Sequence, residues 1–189
     1  MSAVGPSARE RLEQLFARVD AFFVSAERAF PGADGITCRA GCDDCCQRRF
    51  SVTALEAEGM AEALDALPEQ ARRALAERAA DPSGPCALLH EDGRCAAYEA
   101  RPLICRTHGL PIRFAGEERH LPVVQPVSID ACPRNFSGRD LQALPREHVL
   151  DQGTLSTILG ALDAARSGEL GVVRRDRVEI SSLLQRPRR

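Results

Sequence analysis

Apolar residues recur at three- and four-residue steps from Leu12 to Phe30, through Leu15, Phe16, Val19, Phe22, Phe23 and Ala26. This spacing puts them on one stripe of an amphipathic helix over 8–30, with Ser7 as N-cap and Pro31-Gly32 as its stop. A stripe this rich in Phe is read as core. A second helix is predicted over 53–66, where Thr53 and Glu56 make a capping box and Leu55, Met60, Ala63, Leu64 and Leu67 form the apolar face. A third is predicted over 68–80, with Pro68 in the first turn, where its missing N–H costs nothing. The last, over 154–166, uses Leu155, Ile158, Leu159 and Leu162 and is expected to end near Ser167-Gly168. Residues 172–184 keep enough apolar pattern to dock on the body, and 186–189 are expected to fray.

Between these helices the periodicity fails. Residues 31–52 and 81–138 are rich in Pro, Gly and Cys. Glu91-Asp92-Gly93-Arg94 reads as a tight turn between extended pieces at 87–89 and 94–96. A short helix is expected from Tyr98 through Cys105, limited by Pro102. Ile112 to Phe114 and Leu121 to Val124 read as a second hairpin. The expected fold is therefore mainly α: one domain over 1–189, with helices packed around an irregular Cys-rich segment at about 36–135 that carries short β-hairpins and is stabilised by metal.

Composition sharpens this picture. A chain of 189 residues, 44% hydrophobic and 28% charged, is long enough for one domain with a core. Aromatics are only 4% and Trp is absent, so aliphatic residues carry the core and any cross-link gains value. The net charge of −2 excludes a general nucleic-acid binder, which needs a basic surface. All 25 basic residues are Arg, so no single Arg carries much weight. Charges interrupt every apolar run before membrane-spanning length, and the first residues lack the apolar stretch of a signal peptide. A soluble, cytoplasmic protein with no membrane partner is expected. A reducing compartment disfavours structural disulfides and favours metal or redox roles for cysteine.

The cysteines are Cys38, Cys42, Cys45, Cys46, Cys86, Cys95, Cys105 and Cys132, and half of them lie within nine residues as C-x3-C-x2-C-C. Thiolates supply negative charge and soft lone pairs, which suit zinc or iron–sulfur iron. Cys42 and Cys45 are spaced to bend around one ion, whereas the neighbours Cys45 and Cys46 are expected to diverge. Eight thiols fit two four-cysteine zinc sites, a binuclear zinc site, or one four-cysteine cluster with leftovers. Arg39, Arg48, Arg49, Arg94, Arg101, Arg106 and Arg134 lie near in sequence and would stabilise an anionic centre. Tyr98 and Arg101 could donate to thiolate sulfurs, or pack the hairpin and cap carbonyls. Asp43 and Asp44 are expected to face solvent. Of the histidines His90, His108, His120 and His148, only His108 is spaced to join a mixed site, and none is assigned as a ligand.

The Cys38, Cys42, Cys45 spacing matches that of radical-SAM enzymes, but Asp44 stands where an aromatic is usual, and strand–helix alternation is missing. The run from Cys38 to Cys46, Thr53-x-x-Glu56, Cys86-Ala87-Leu88-Leu89, Asp92-Gly93-Arg94-Cys95 and Tyr98-x-x-Arg101-Pro102-x-x-Cys105-Arg106 resembles the YkgJ-like cysteine-cluster family over about residues 36–135. The first spacing is three here instead of two. The resemblance implies zinc or iron chelation by the eight cysteines and supplies no reaction. A more distant similarity to a flagellin lysine N-methylase group implies an alternative, an iron–sulfur-dependent redox or protein-modifying enzyme. The expected function is a metal-binding protein whose zinc or iron–sulfur centre is structural or chelating, with a metal ion as its partner. Whether it is an enzyme stays open.

Overall fold

The structure is a computed structural model that describes residues 5–39, 41–114, 127–174 and 176–188. Among the described residues there are five α-helices in chain order: α1 (Ala8–Ala29), α2 (Ala54–Asp65), α3 (Glu69–Ala79), α4 (Leu103–Thr107) and α5 (Gln152–Glu169). The strands are two or three residues long: β1 (Ser51–Val52), β2 (Ile112–Phe114), β3 (Ser128–Asp130), β4 (Leu150–Asp151) and β5 (Val178–Glu179). Helix thus dominates the regular structure, as the periodicity predicts. Among the described residues no helix is long and apolar enough to cross a membrane.

The chain divides into two compact units, Met1–Arg9 with Arg39–Cys105 and Leu162–Arg189, and Glu10–Cys38 with Arg106–Ala161. In the first unit, Met60, Leu64, Leu75, Ala79, Ala87, Leu88, Ile180, Leu183 and Leu184 form a buried apolar cluster. The expected capping box opens α2: Thr53 Oγ1 accepts from the Glu56 N–H while the Glu56 carboxylate accepts from the Thr53 N–H. The tail docks as expected. Its β5 pairs antiparallel with β1, and the following 3-10 turn inserts Ile180, Leu183 and Leu184 into the cluster.

In the second unit, Leu12, Leu15, Val19, Ala26 and Phe30 of the predicted stripe are buried, and Phe22 and Phe23 are half-buried. The Phe30 ring meets Phe136 and His148 edge-on, at centroid distances of 5.4 and 5.2 Å. The sheet order is β3-β2-β4, with β2 antiparallel to β3 and parallel to β4.

Three sequence expectations shift. The helix expected from Tyr98 begins only at Leu103. A residue before proline is pushed out of the α region, so Arg101 cannot continue a helix into Pro102. The β2 partner is Ser128–Asp130, in the register Ile112↔Asp130; the expected partner at 121–124 lies outside the described residues. Finally, α5 overruns both expected ends. Asp151 Oδ1 accepts from the Thr154 N–H at its start, and the chain turns only where Gly171 N–H bonds to Gly168 O and Val172 N–H to Ser167 O. That paired arrangement is a Schellman closure with Gly171 at φ 65°, so Gly171, not Gly168, is the stop.

Candidate metal centre

Residues 41–49 lack apolar periodicity and hold themselves by short turns. The Cys42 N–H donates to Arg39 O at 3.0 Å, and the Cys46 N–H to Asp43 O at 2.8 Å. The latter opens a 3-10 turn over Asp44–Gln47. Cys45 and Cys46 do not diverge there: the Cys46 thiol hydrogen-bonds to the Cys45 sulfur. Neighbouring side chains alternate fully only in extended chain; a turn with about three residues per revolution brings them closer.

The second cysteine stretch comes against this turn at several points. The Cys86 N–H donates to Cys46 O at 2.7 Å. The tip of the predicted hairpin rests on Gly41, so closely that a Cβ at Gly93 (φ 77°) would lie 3.0 Å from Gly41 O. The hairpin itself forms as expected, with His90 N–H to Arg94 O, Ala96 N–H to Leu88 O, and an antiparallel bridge between Leu89 and Cys95. Ala87, Leu88 and Ala97 anchor it in the apolar cluster, and Cys86 and Cys95 pack against that cluster, partly buried. Arg49 adds a clip that spacing alone did not suggest. Its guanidinium donates to Ala79 O at 3.3 Å, Gly84 O at 3.2 Å and Asp81 O, closing the C-terminal end of α3 and the loop leading to Cys86.

Electrostatics shows which sulfurs lie near enough to influence one another. Burial raises the thiols of Cys86 and Cys95 above the ordinary value and pushes Cys105 up to about 12. Neighbouring sulfurs add to each shift: Cys45 at Cys86; Cys86 and Cys45 at Cys95; and Cys86, Cys95 and Cys45 at Cys105, where the Glu56 carboxylate also contributes. Arg49 opposes the rise at Cys86, and Arg101 does so at Cys95. Cys45 is lowered to about 7, chiefly by the bond from Cys46, against burial and the charges of Asp44 and Asp43. Cys46, which gives that bond, is raised. Cys45, Cys46, Cys86, Cys95 and Cys105 therefore form one electrostatically connected group.

Cys42 sits on the first turn, half-buried. Cys38 belongs to the second unit. There the Asn135 Nδ2 donates to Cys38 Sγ at 3.3 Å and to Gly109 O at 2.7 Å, while its Oδ1 accepts from the Thr37 N–H at 2.9 Å. Cys132 is buried in the same unit, its carbonyl accepting the Asn135 N–H at 2.8 Å. All eight cysteines are free thiols. Among the described residues, no group of three Cys, His, Asp or Glu side chains stands ready to hold an ion. The donor set still fits a soft metal. A cation that displaces the thiol protons offsets the cost of burying thiolate charge, and thiolate sites seldom preform without one.

Arg101 caps the Tyr98 carbonyl at 3.2 Å and lies 4.2 Å over its ring, so the expected carbonyl capping holds and its charge also reaches Cys95, while Tyr98 itself is exposed. Asp44 is exposed, as expected, whereas Asp43 is half-buried and accepts from Gln47. Arg106 pairs with Asp20 and covers the Phe16 ring in the second unit. His90 lines an open cleft with Ala74, Glu77, Arg78, Glu91 and Asp92, and His120 lies outside the described residues.

No curated protein and no solved structure matches the chain. Residues 37–120 match the model of the CxxCxxCC family, described as a putative zinc- or iron-chelating domain, and this similarity supports metal binding.

Proposed function

We propose that the protein binds a soft metal, zinc or an iron–sulfur cluster, through a thiolate centre in its first unit, and that the metal holds the cysteine loops in place. The observation that carries this reading is the gathering of Cys45, Cys46, Cys86, Cys95 and Cys105 from two distant stretches into one group, with three of the five thiols raised chiefly by burial. A free cysteine packs as a small hydrophobe, so the clustering of five thiols, and not the burial of any one, points to a cation. Four thiolates satisfy one zinc ion or the corners of one cluster. Cys38, Cys42 and Cys132 complete the eight-cysteine set that the family signature implies, and their loss is expected to weaken metal binding less than loss of any of the five.

The test is anaerobic purification with elemental analysis and a visible spectrum. Stoichiometric zinc without colour, or iron and sulfide with a brown spectrum, supports the centre and identifies it. Metal below a tenth of an equivalent under both zinc- and iron-replete growth contradicts it.

The alternative, a redox or protein-modifying enzyme, draws support from one feature: Cys45 is half-exposed, with a thiol lowered to about 7. Such a thiol is a competent nucleophile near neutral pH. A Cys45→Ser variant that keeps its metal but loses reactivity toward a thiol probe would favour this reading over a purely structural centre.

A further inference from the structure

Glu56 is 4% exposed, and its carboxylate has more to do than close a capping box. Oε2 accepts from the Thr53 N–H at 2.9 Å and the Thr53 hydroxyl at 3.0 Å. Oε1 accepts from the Leu103 N–H at 2.8 Å, 47 residues away. Both oxygens are committed, so the burial of this charge is offset by hydrogen bonds. A capping box needs only the first oxygen; the second reaches the opening residue of α4. That helix has five residues, too few to hold its shape alone, and Cys105 is its third. Pro102, which precedes it, is fully buried and has no N–H to give. Glu56 itself rides on α2, whose Met60 and Leu64 belong to the apolar cluster.

We propose that Glu56 is a positioning residue for the metal centre, tying the short helix that carries Cys105 to the rigid α2 so that the Cys105 sulfur is held for coordination. The proposal rests on the assignment of Cys105 as a ligand. Glu56 is not itself a ligand, because its lone pairs face Thr53 and Leu103. Outer contacts of this kind commonly change metal affinity by about 10–100-fold.

The test uses the full chain with cobalt(II) as probe, read by sulfur-to-cobalt charge transfer and chelator competition. In Glu56→Gln the single carbonyl oxygen serves one side only, and the amide nitrogen faces a donor on the other. Cobalt affinity is expected to fall about 10–100-fold. Thr53→Val removes the capping hydroxyl but leaves the Leu103 bond, and is expected to keep wild-type affinity. Equal loss in both variants, or none in Glu56→Gln, overturns the proposal. Glu56→Asp keeps the charge but is too short to span both partners, and should match Glu56→Gln; wild-type affinity in Glu56→Asp would show that position is not what matters. A metal-free readout separates this proposal from the assignment it rests on. At one fixed pH, Glu56→Gln should speed exchange of the Leu103 amide and alkylation of Cys105 relative to Cys86. If wild type takes up no cobalt, the metal-centre reading fails, and the exchange and alkylation rates still judge Glu56: unchanged rates overturn its positioning role.

Discussion

Two parts of the first unit are built on opposite principles. Around Met60, Leu64, Leu75, Leu88, Leu183 and Leu184, aliphatic side chains from α2, α3, the hairpin and the tail bury one another. Around residues 41–49 and 84–105, backbone turns, one arginine clip and half-buried thiols do the holding. The first region is stable through apolar area removed from water, which needs no ligand. The second puts sulfur where a core would put carbon, and its segments are too short and too rich in Pro and Gly to hold themselves. On the proposed reading, the helices fold on their own account and the cysteine loops depend on a cation.

The strongest way to break that contrast is to remove the metal. Structural zinc contributes about 10–16 kcal/mol of apparent binding free energy in small thiolate domains. Stripping the protein anaerobically should therefore expose amides of 41–49 and 84–105 to hydrogen exchange, while α2 and α3 stay protected. Equal loss of protection in both regions would remove the distinction.

Core damage should show the reverse. Leu75 is fully buried, and Leu75→Ala is expected to cost about 2–5 kcal/mol by urea unfolding. The cost should be similar in loaded and stripped protein, with wild-type metal content in the folded fraction. A smaller effect, about 1 kcal/mol, is expected for Thr53→Ala, which removes the cap of α2.

The mildest probe is pH. In metal-free protein, burial raises the folded-state thiols of Cys86, Cys95 and Cys105, the last to about 12 from an ordinary value of 9.0. A raised folded value means that the associated stability is present below pH 9 and is lost as pH climbs toward 12. Thermal unfolding should thus show a decline above pH 9 that metal loading suppresses, because a coordinated thiolate has no proton left to lose.

The same contrast separates what could be read from the chain. Periodicity and capping signals located α1, α2 and α3, because these helices bury a continuous stripe and carry local start signals. The turn at Gly93 was legible for the same local reason. The Gly168 stop was misplaced because a glycine inside a helix resembles one after it until the closing bonds at Gly171 are seen. At the site, cysteine spacing suggested the ligand class but not the grouping. The Cys45–Cys46 contact depends on a 3-10 turn, the Arg49 clip on loop carbonyls 30 to 35 residues away, and the Glu56–Leu103 bond on a helix that starts after Pro102. None of these leaves a periodic trace, and the Arg49 and Glu56 contacts join segments through backbone groups that every residue carries.

The most direct measurement is X-ray absorption at the edge of whichever metal copurifies. Sulfur scatterers at about 2.3 Å as the only first coordination shell are what a thiolate centre requires. A shell of nitrogen or oxygen at about 2.0–2.1 Å without sulfur would contradict it.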